Sequence, residues 1–182
     1  HVPSYLKKNN LPSVKTNSIE DWEKKVNEIC KETINENMTT IGGIPSWVQM
    51  YFEVLLKKSN KKNITELFSG LSLFVYGGVN FSPYEKIFNK LLGKKIHTIE
   101  YYPASEGFFA YQNSQKDKSL LLQYNSGIFY EFIKTNEFES ENYIRYNLTN
   151  VEVGVNYILV ITSNAGLWAY NTGDTIKFIS LN

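Results

Sequence analysis

The chain of 182 residues has few of the side chains on which many catalytic and metal sites depend. It contains one cysteine, Cys30, and two histidines, His1 and His97. A single cysteine excludes an internal disulfide framework and a thiolate zinc cluster. Two histidines exclude a histidine-rich metal site. A hydrolase with a histidine base would have to use His97, and no Gly-x-Ser-x-Gly nucleophile elbow is present to partner it.

Long apolar runs and an excess of one charge are also missing. The longest unbroken apolar run is Tyr157–Ile161, far below the roughly 20 residues of a membrane-spanning helix. The first residues contain no apolar stretch typical of a secretory signal. Nineteen basic and eighteen acidic side chains leave a net charge of +1, which gives no electrostatic footprint for nucleic acid. We therefore expect a cytoplasmic protein without a membrane or nucleic-acid partner, and its oligomeric state is open.

What the sequence does contain is enough apolar material for a core. Hydrophobic residues make up 42% of the chain, with 13 Tyr and 11 Phe, so the interior is predicted to be aromatic. The length suits one domain. We expect a single domain over residues 1–182, with an α/β part over about 18–107 and a β-rich part over about 108–182.

The first part predicts helices and a parallel pair of strands. Apolar residues recur at helical spacing after a start at Ser18. Further along, the apolar run Leu71–Tyr76 and the alternating run Lys95–Tyr101 predict strands, and a helix over Ser82–Gly93 lies between them, with a capping box at Ser82-Pro83-Tyr84-Glu85. Strand, glycine loop, helix and strand make a βαβ unit.

The second part predicts short antiparallel strands separated by polar turns. The complete interpretation is an α/β fold, in which helices cover a mainly parallel sheet and an antiparallel β part follows. The β-rich runs are Phe108–Gln112, Leu120–Tyr124, Ile128–Lys134, Val151–Thr162 and Thr175–Leu181.

The first candidate for a ligand site is the loop Gly77-Gly78-Val79-Asn80. It follows a buried strand and precedes a helix, where glycines let a ligand approach the backbone and the helix start favours an anion. The loop matches neither a Walker motif nor a dinucleotide fingerprint. A tight turn between strand and helix is the alternative interpretation.

The second candidate is Tyr102-Pro103-Ala104-Ser105-Glu106-Gly107. It follows the carboxyl end of the second parallel strand, where ligands bind in open α/β sheets. A carboxylate there could hold a divalent cation, and the aromatic ring could stack on a base. The alternative is a polar turn that joins two strands.

The third candidate is the segment from Gly166 to Asp174. An aspartate after Thr-Gly can direct its carboxylate oxygens at two vicinal hydroxyls. The alternative is a hairpin turn, because Asn, Gly and Asp are common turn formers.

In this order the three candidates resemble the adenylate-forming enzymes. The elements Gly42-Gly43-Ile44-Pro45-Ser46-Trp47, Tyr102–Gly107 and Asn164–Asp174 resemble the Gretchen Hagen family in particular. These are auxin-responsive acyl-acid amido synthetases of plants and their bacterial relatives. The resemblance extends from about Ile19 to the last residue.

The resemblance implies a site for ATP and Mg²⁺. Tyr102, Pro103, Ala104 and Ser105 would form part of the adenine pocket, and Glu106, the predicted catalytic residue, would help to hold Mg²⁺. Gly77, Gly78 and Val79 would back the adenine, and Asp174 would bond the ribose hydroxyls. The substrates would be a small carboxylic acid and an amine such as an amino acid. An acid pocket would draw on helix residues near Trp47, Met50 and Tyr51.

The chain also departs from the family pattern. Ala169 and Asn171 stand where the family often has arginine, so substrate contacts of those arginines do not transfer. Residues 1–18 contain no glycine-rich phosphate loop, and eight residues follow Asp174, without room for the family's mobile domain and its lysine. We therefore expect an internal fragment of an acyl-adenylating enzyme that is inactive alone. A non-catalytic module that binds a nucleotide or a protein is the alternative.

Overall fold

The computed structural model describes residues 9–140 and 142–181 of the chain, so His1 lies outside the described residues. The chain divides into two compact units, His1–Tyr101 and Tyr102–Asn182. Each unit has a hydrophobic core of its own. The longest helix has 15 residues, and in the described ranges no helix is long and apolar enough to cross a membrane.

The first unit alternates helices and strands. A third strand, β1, precedes the predicted pair. The elements are α1 (Val14–Asn17), α2 (Trp22–Thr33), β1 (Thr40–Gly42), α3 (Pro45–Ser59), α4 (Ile64–Leu67), β2 (Leu73–Gly77), α5 (Ser82–Leu92) and β3 (His97–Ala104), whose last three residues belong to the second unit.

The parallel pair of strands is confirmed. β2 pairs parallel with β3 in a register that opposes Leu73 to His97 and Gly77 to Tyr101. β1 pairs parallel with β2 on the other side. β1 was not predicted, because three residues with an exposed, half-buried, exposed pattern carry too little periodicity to indicate a strand.

Two predicted helix starts are wrong in detail. α2 begins after Asp21, whose carboxylate accepts a hydrogen bond from the Lys24 N–H at 2.7 Å, so Asp21 rather than Ser18 is the cap. α5 is preceded by Phe81, which makes no side-chain cap bond. Asn80 takes that role partly, because its amide oxygen accepts from the Ser82 N–H at 2.9 Å. The predicted end is confirmed: Gly93 closes α5 with φ +79°, a left-handed conformation that favours glycine.

Aromatic packing holds the first unit together. The rings of Phe74 and Phe88 stack with centroids 4.9 Å apart, and Phe81 contacts both rings edge-on. Such pairs add about 0.5–1.5 kcal/mol each to the free energy gained by burial. Cys30 is fully buried in the same core, and burial raises the pKa of its thiol. It is a structural side chain, as its position on an apolar helix face predicts.

The second unit is a β structure, and the predicted antiparallel part is confirmed. β6 pairs antiparallel with β7, and β7 pairs antiparallel with β8. β4 and β5 form a short antiparallel pair. The strands are β4 (Gly107–Tyr111), β5 (Leu121–Leu122), β6 (Ile128–Lys134), β7 (Asn156–Ser163) and β8 (Tyr170–Lys177). The last strand begins five residues earlier than predicted, which places Asp174 inside it.

Candidate functional site

Tyr102 is the first residue of the second unit, near the end of β3. Its ring packs partly buried against the core of that unit. The buried ring of Phe109 meets it edge-on, with centroids 5.1 Å apart and an interplanar angle of 80°. An aromatic pair in this geometry restrains the tyrosine ring, and so fixes the direction in which its hydroxyl points.

Asp174 lies on a bulge in the middle of β8. Ile158 of β7 pairs with Thr175, and Val160 pairs with Asn171. Leu159 alone therefore faces residues 172–174. A bulge redirects side chains and recurs beside active sites. The hairpin-turn interpretation is right for the beginning of the segment, because residues 164–169 connect β7 to β8, and wrong for Asp174, which lies inside β8.

Local hydrogen bonds hold the bulge in shape. The Thr172 hydroxyl donates to the Leu159 carbonyl at 3.1 Å and accepts from the Asp174 N–H at 3.2 Å. The Asn171 amide oxygen accepts from the Gly173 N–H at 2.9 Å. Gly173 itself has φ +81°, a conformation that glycine adopts without strain. The bulge thus presents Asp174, which is exposed, on a defined backbone.

The structure brings Tyr102 and Asp174 into direct contact. The Tyr102 hydroxyl donates a hydrogen bond to Asp174 Oδ2 across 72 positions of the sequence. Burial raises the pKa of Tyr102 well above its ordinary value, and the hydrogen bond and charge of Asp174 raise it further. The hydroxyl therefore keeps its proton and remains a donor to the carboxylate.

Glu106 lies close to this pair. It occupies the two-residue turn between β3 and β4 and is half-buried, whereas its neighbour Ser105 is exposed. The negative charge of Glu106 is a further cause of the raised pKa of Tyr102. Two carboxylates, one from the second motif and one from the third, thus act on the hydroxyl of Tyr102 within the second unit.

The other predicted residues of the second motif form the end of β3. Pro103 and Ala104 are half-buried, and Ala104 packs against the same core as Tyr102. They contribute packing and backbone in the structure. Their assignment to an adenine pocket stays a prediction of the family resemblance.

The glycine loop lies in the first unit. Gly77 is buried at the end of β2, and Gly78 follows with φ +83°. A side chain at Gly78 would be strained by that conformation. Val79 is 40% exposed. The loop is therefore a tight turn in the structure, and its role behind an adenine stays a prediction.

The predicted acid-pocket residues divide into two kinds. Tyr51 is buried, and its hydroxyl shares a hydrogen bond of 2.7 Å with the Thr33 hydroxyl. Burial raises the pKa of Tyr51 to about 12. Trp47 and Met50 are exposed and contact Trp22, Trp47 through its ring and Met50 as the acceptor of the Trp22 indole N–H. Tyr51 therefore has a structural partner, while Trp47 and Met50 present apolar surface.

Two features of the site were missed in the sequence. Phe109, which restrains Tyr102, belongs to an ordinary apolar run and carries no distinguishing signal. The hydrogen bonds of Asn171 and Thr172 to the backbone did have a sequence signal, since an Asn or Thr two residues before a backbone N–H is a common local turn partner. Neither pattern indicates that Tyr102 is the partner of Asp174.

No group of three His, Cys, Asp or Glu residues that could hold a metal ion occurs in the described part of the chain. Fewer than three such donors in one place do not suit a structural zinc or calcium site. They do suit Mg²⁺, which is usually held by one or two carboxylates together with substrate phosphates and water. Glu106, which is half-buried and whose charge acts on Tyr102, fits such a role.

Comparison with solved structures identifies the fold. The chain is similar to GH3.15 acyl acid amido synthetase, with 14% identity, a TM-score of 0.66, and coverage of 96% of this chain and 40% of that one. The chain is also similar to AtGH3.15 acyl acid amido synthetase in complex with 2,4-DB, with 13% identity, a TM-score of 0.62, and coverage of 95% of this chain and 40% of that one. An open conformation of 2-hydroxyisobutyryl-CoA ligase in complex with 2-HIB-AMP and CoA is similar with 14% identity and a TM-score of 0.53. The match covers 76% of this chain and 30% of that one. The fold is that of the adenylate-forming enzymes.

A family model matches the last third of the sequence. Residues 121–182 match the model of the GH3 family central domain. The predicted resemblance to the Gretchen Hagen, or GH3, family is confirmed over these residues. No curated protein sequence matches the chain. The chain spans 40% of the length of the two GH3.15 structures.

Proposed function

We propose that this chain is part of an ATP-dependent acyl-adenylating enzyme, which activates a small carboxylic acid and conjugates it to an amine such as an amino acid. The observation that carries the proposal is the hydrogen bond from Tyr102 to Asp174. It joins the Tyr-x-x-Ser-Glu and Gly-Asp motifs, which the family resemblance assigns to the same nucleotide. The match of residues 121–182 to the GH3 central domain supports the same class of enzyme.

In this proposal Asp174 and Tyr102 bind the nucleoside. The exposed carboxylate of Asp174 accepts hydrogen bonds from the two ribose hydroxyls, and the ring of Tyr102 contacts the adenine. Hydrogen bonds to a charged group contribute about 1.5–3 kcal/mol. The held ribose then fixes the position of the α-phosphorus, because the reacting atoms must be aligned before attack.

The chemistry occurs at the α-phosphorus of ATP. An oxygen of the substrate carboxylate attacks that phosphorus, and the bond to pyrophosphate breaks, which gives the acyl adenylate. The amine nitrogen then attacks the acyl carbon, AMP leaves with the bonding electrons, and the nitrogen loses a proton. Mg²⁺ bound near Glu106 would neutralise charge on the phosphates. In this role the carboxylate of Glu106 would help to hold the ion beside the phosphates.

The test is ATP–pyrophosphate exchange by the full-length protein with a panel of carboxylic acids. We expect exchange that depends on the acid, and we expect Asp174→Ala to reduce it. Asp117→Ala is the matched control, because Asp117 is also an exposed aspartate of the second unit. If none of the acids supported exchange while AMP still bound, the proposed enzymatic activity would be contradicted and the nucleotide-binding module would be favoured.

A further inference from the structure

The hydroxyl of Tyr102 makes a contact that its ring does not make. It occupies one oxygen of Asp174, although a carboxylate has two oxygens and can accept about four hydrogen bonds. In the described part of the second unit, no hydrogen bond to Oδ1 of this exposed residue competes with a ligand. The contact therefore orients the carboxylate without using up its capacity to accept.

We propose that Tyr102 is a positioning residue that acts through Asp174: its hydroxyl holds Oδ2 so that the remaining acceptor positions face a vicinal diol, and this sets the preference of the site for ribose over 2′-deoxyribose. The inference rests on the proposed function, because it assigns the ligand of the same site. It adds a specificity determinant to the second motif, whose tyrosine ring alone would contact any adenine nucleotide.

The physical argument begins with freedom of rotation. Asp174 is exposed on a bulge, so its carboxylate would otherwise rotate, and ordering a side chain on binding reduces affinity. Tyr102 removes that freedom before the ligand arrives, since its own ring is held by the buried Phe109. An orientation fixed in advance favours a ligand whose two hydroxyls fit it. A ligand with a single hydroxyl gains less.

The protonation of Tyr102 supports the same role. Burial, Asp174 and Glu106 all raise the pKa of the hydroxyl, so it donates to the carboxylate throughout the neutral range. It does not become a phenolate that would repel Asp174. The anchor is therefore present throughout the neutral range.

The experiment measures the dissociation constants of AMP and 2′-deoxy-AMP by calorimetry for the wild-type chain and for variants. Tyr102→Phe keeps the ring and removes the hydroxyl. We expect it to weaken AMP binding by about 2- to 10-fold, the range for a side chain ordered on binding, and to weaken 2′-deoxy-AMP less. The ratio of the two constants should fall. A purely structural role would weaken both ligands equally and leave the ratio unchanged.

Tyr130→Phe is the matched control. Its hydroxyl donates to the Gln123 carbonyl at 3.1 Å, and its ring contacts the same Phe109, so the change removes a comparable hydrogen bond from the same aromatic cluster. We expect the wild-type ratio in this variant. Asp174→Glu provides a second route, because one added methylene displaces the carboxylate from the hydroxyl. It should lower the ratio as Tyr102→Phe does.

The outcomes separate the inference from the proposed function. A wild-type ratio in Tyr102→Phe, together with a ratio of one in Asp174→Ala, would overturn the inference and leave the ribose site standing. Equal binding of both ligands by the wild-type chain, unchanged in Asp174→Ala, would overturn the proposed function itself. A lowered ratio in Tyr102→Phe, with no further loss when Tyr102→Phe is added to Asp174→Ala, would support the inference.

Discussion

Tyr76 in the first unit and Tyr102 in the second unit each donate a hydrogen bond to a carboxylate, and the two pairs differ in how they are made. In the first unit, Tyr76 donates to Glu100 at 3.2 Å. The two residues face one another in the register of β2 and β3. Tyr76 is 6% exposed. The pair is a consequence of strand pairing and belongs to the packed sheet.

In the second unit, Tyr102 donates to Asp174, which is exposed and lies on the bulge of β8. Here the tyrosine is fixed by packing, while the acid stays accessible to a ligand. The same chemical pair is thus structural where both partners are held by neighbouring strands. It is available for binding where a bulge presents the acid to solvent.

The largest expected effect comes from Glu106→Gln in the full-length protein. Removal of this charge should slow adenylation by roughly 10²-fold or more, because charge stabilisation at the reacting phosphate is lost. Nucleotide affinity should change much less. Pyrophosphate exchange and calorimetry measure the two effects separately. Glu139→Gln, an exposed glutamate of the same unit, should leave the rate unchanged. Equal rates in the two variants would remove Glu106 from the site.

Asp174→Ala should have the next largest effect. Loss of charged hydrogen bonds to the ribose should weaken AMP binding by about 10- to 150-fold, which corresponds to about 1.5–3 kcal/mol. Asp117→Ala should retain the wild-type affinity. The free energy of unfolding should change little in Asp174→Ala, because the side chain is exposed. Unaltered AMP affinity would show that Asp174 is only a strand residue.

Local pattern predicted the fold well where the interactions are local. The β2–α5–β3 unit follows from two apolar runs and the Pro83 helix start, and its parallel pairing is confirmed. β1 was missed because its identity depends on pairing with β2 and not on its own three residues. The caps of α2 and α5 were misplaced by one to three residues, since several nearby side chains could serve as caps.

The candidate site could be predicted only through the resemblance to a family. Asp174 looks like a turn residue in the sequence, and the bulge appears only when β8 is paired with β7. The contact with Tyr102 spans 72 positions, beyond the reach of any periodicity. Residue types indicated possible chemistry at each motif, while tertiary structure decides which side chains meet.

A comparison of Tyr76→Phe with Tyr102→Phe would sharpen the difference between the pairs. Tyr76→Phe should lower the free energy of unfolding by about 1–2 kcal/mol, because the half-buried Glu100 loses a hydrogen-bond donor. Tyr102→Phe should cost less, since water can replace the hydroxyl at the exposed Asp174. Urea denaturation measures both. A larger loss in Tyr102→Phe would reverse the assignment of structural and ligand-facing pairs.

The smallest effect concerns pH. Burial raises the pKa of Glu100 above its ordinary value of 4.5, so the folded state binds a proton that the unfolded state has already released. Stability should therefore fall as the pH rises from about 4.5 through the raised value. Glu100→Gln removes this group, and its free energy of unfolding should decline less over that window. If the free energy of unfolding followed the same pH dependence in both proteins, the raised pKa of Glu100 would be contradicted.

The most direct test is a titration of the wild-type chain with AMP, followed by backbone amide NMR. Binding of the nucleoside at the proposed site predicts the largest shifts at Tyr102–Gly107 and at residues 171–175. Shifts confined to residues away from Glu106 and Asp174, or no shifts at millimolar AMP, would contradict the central claim that these residues form a nucleotide site.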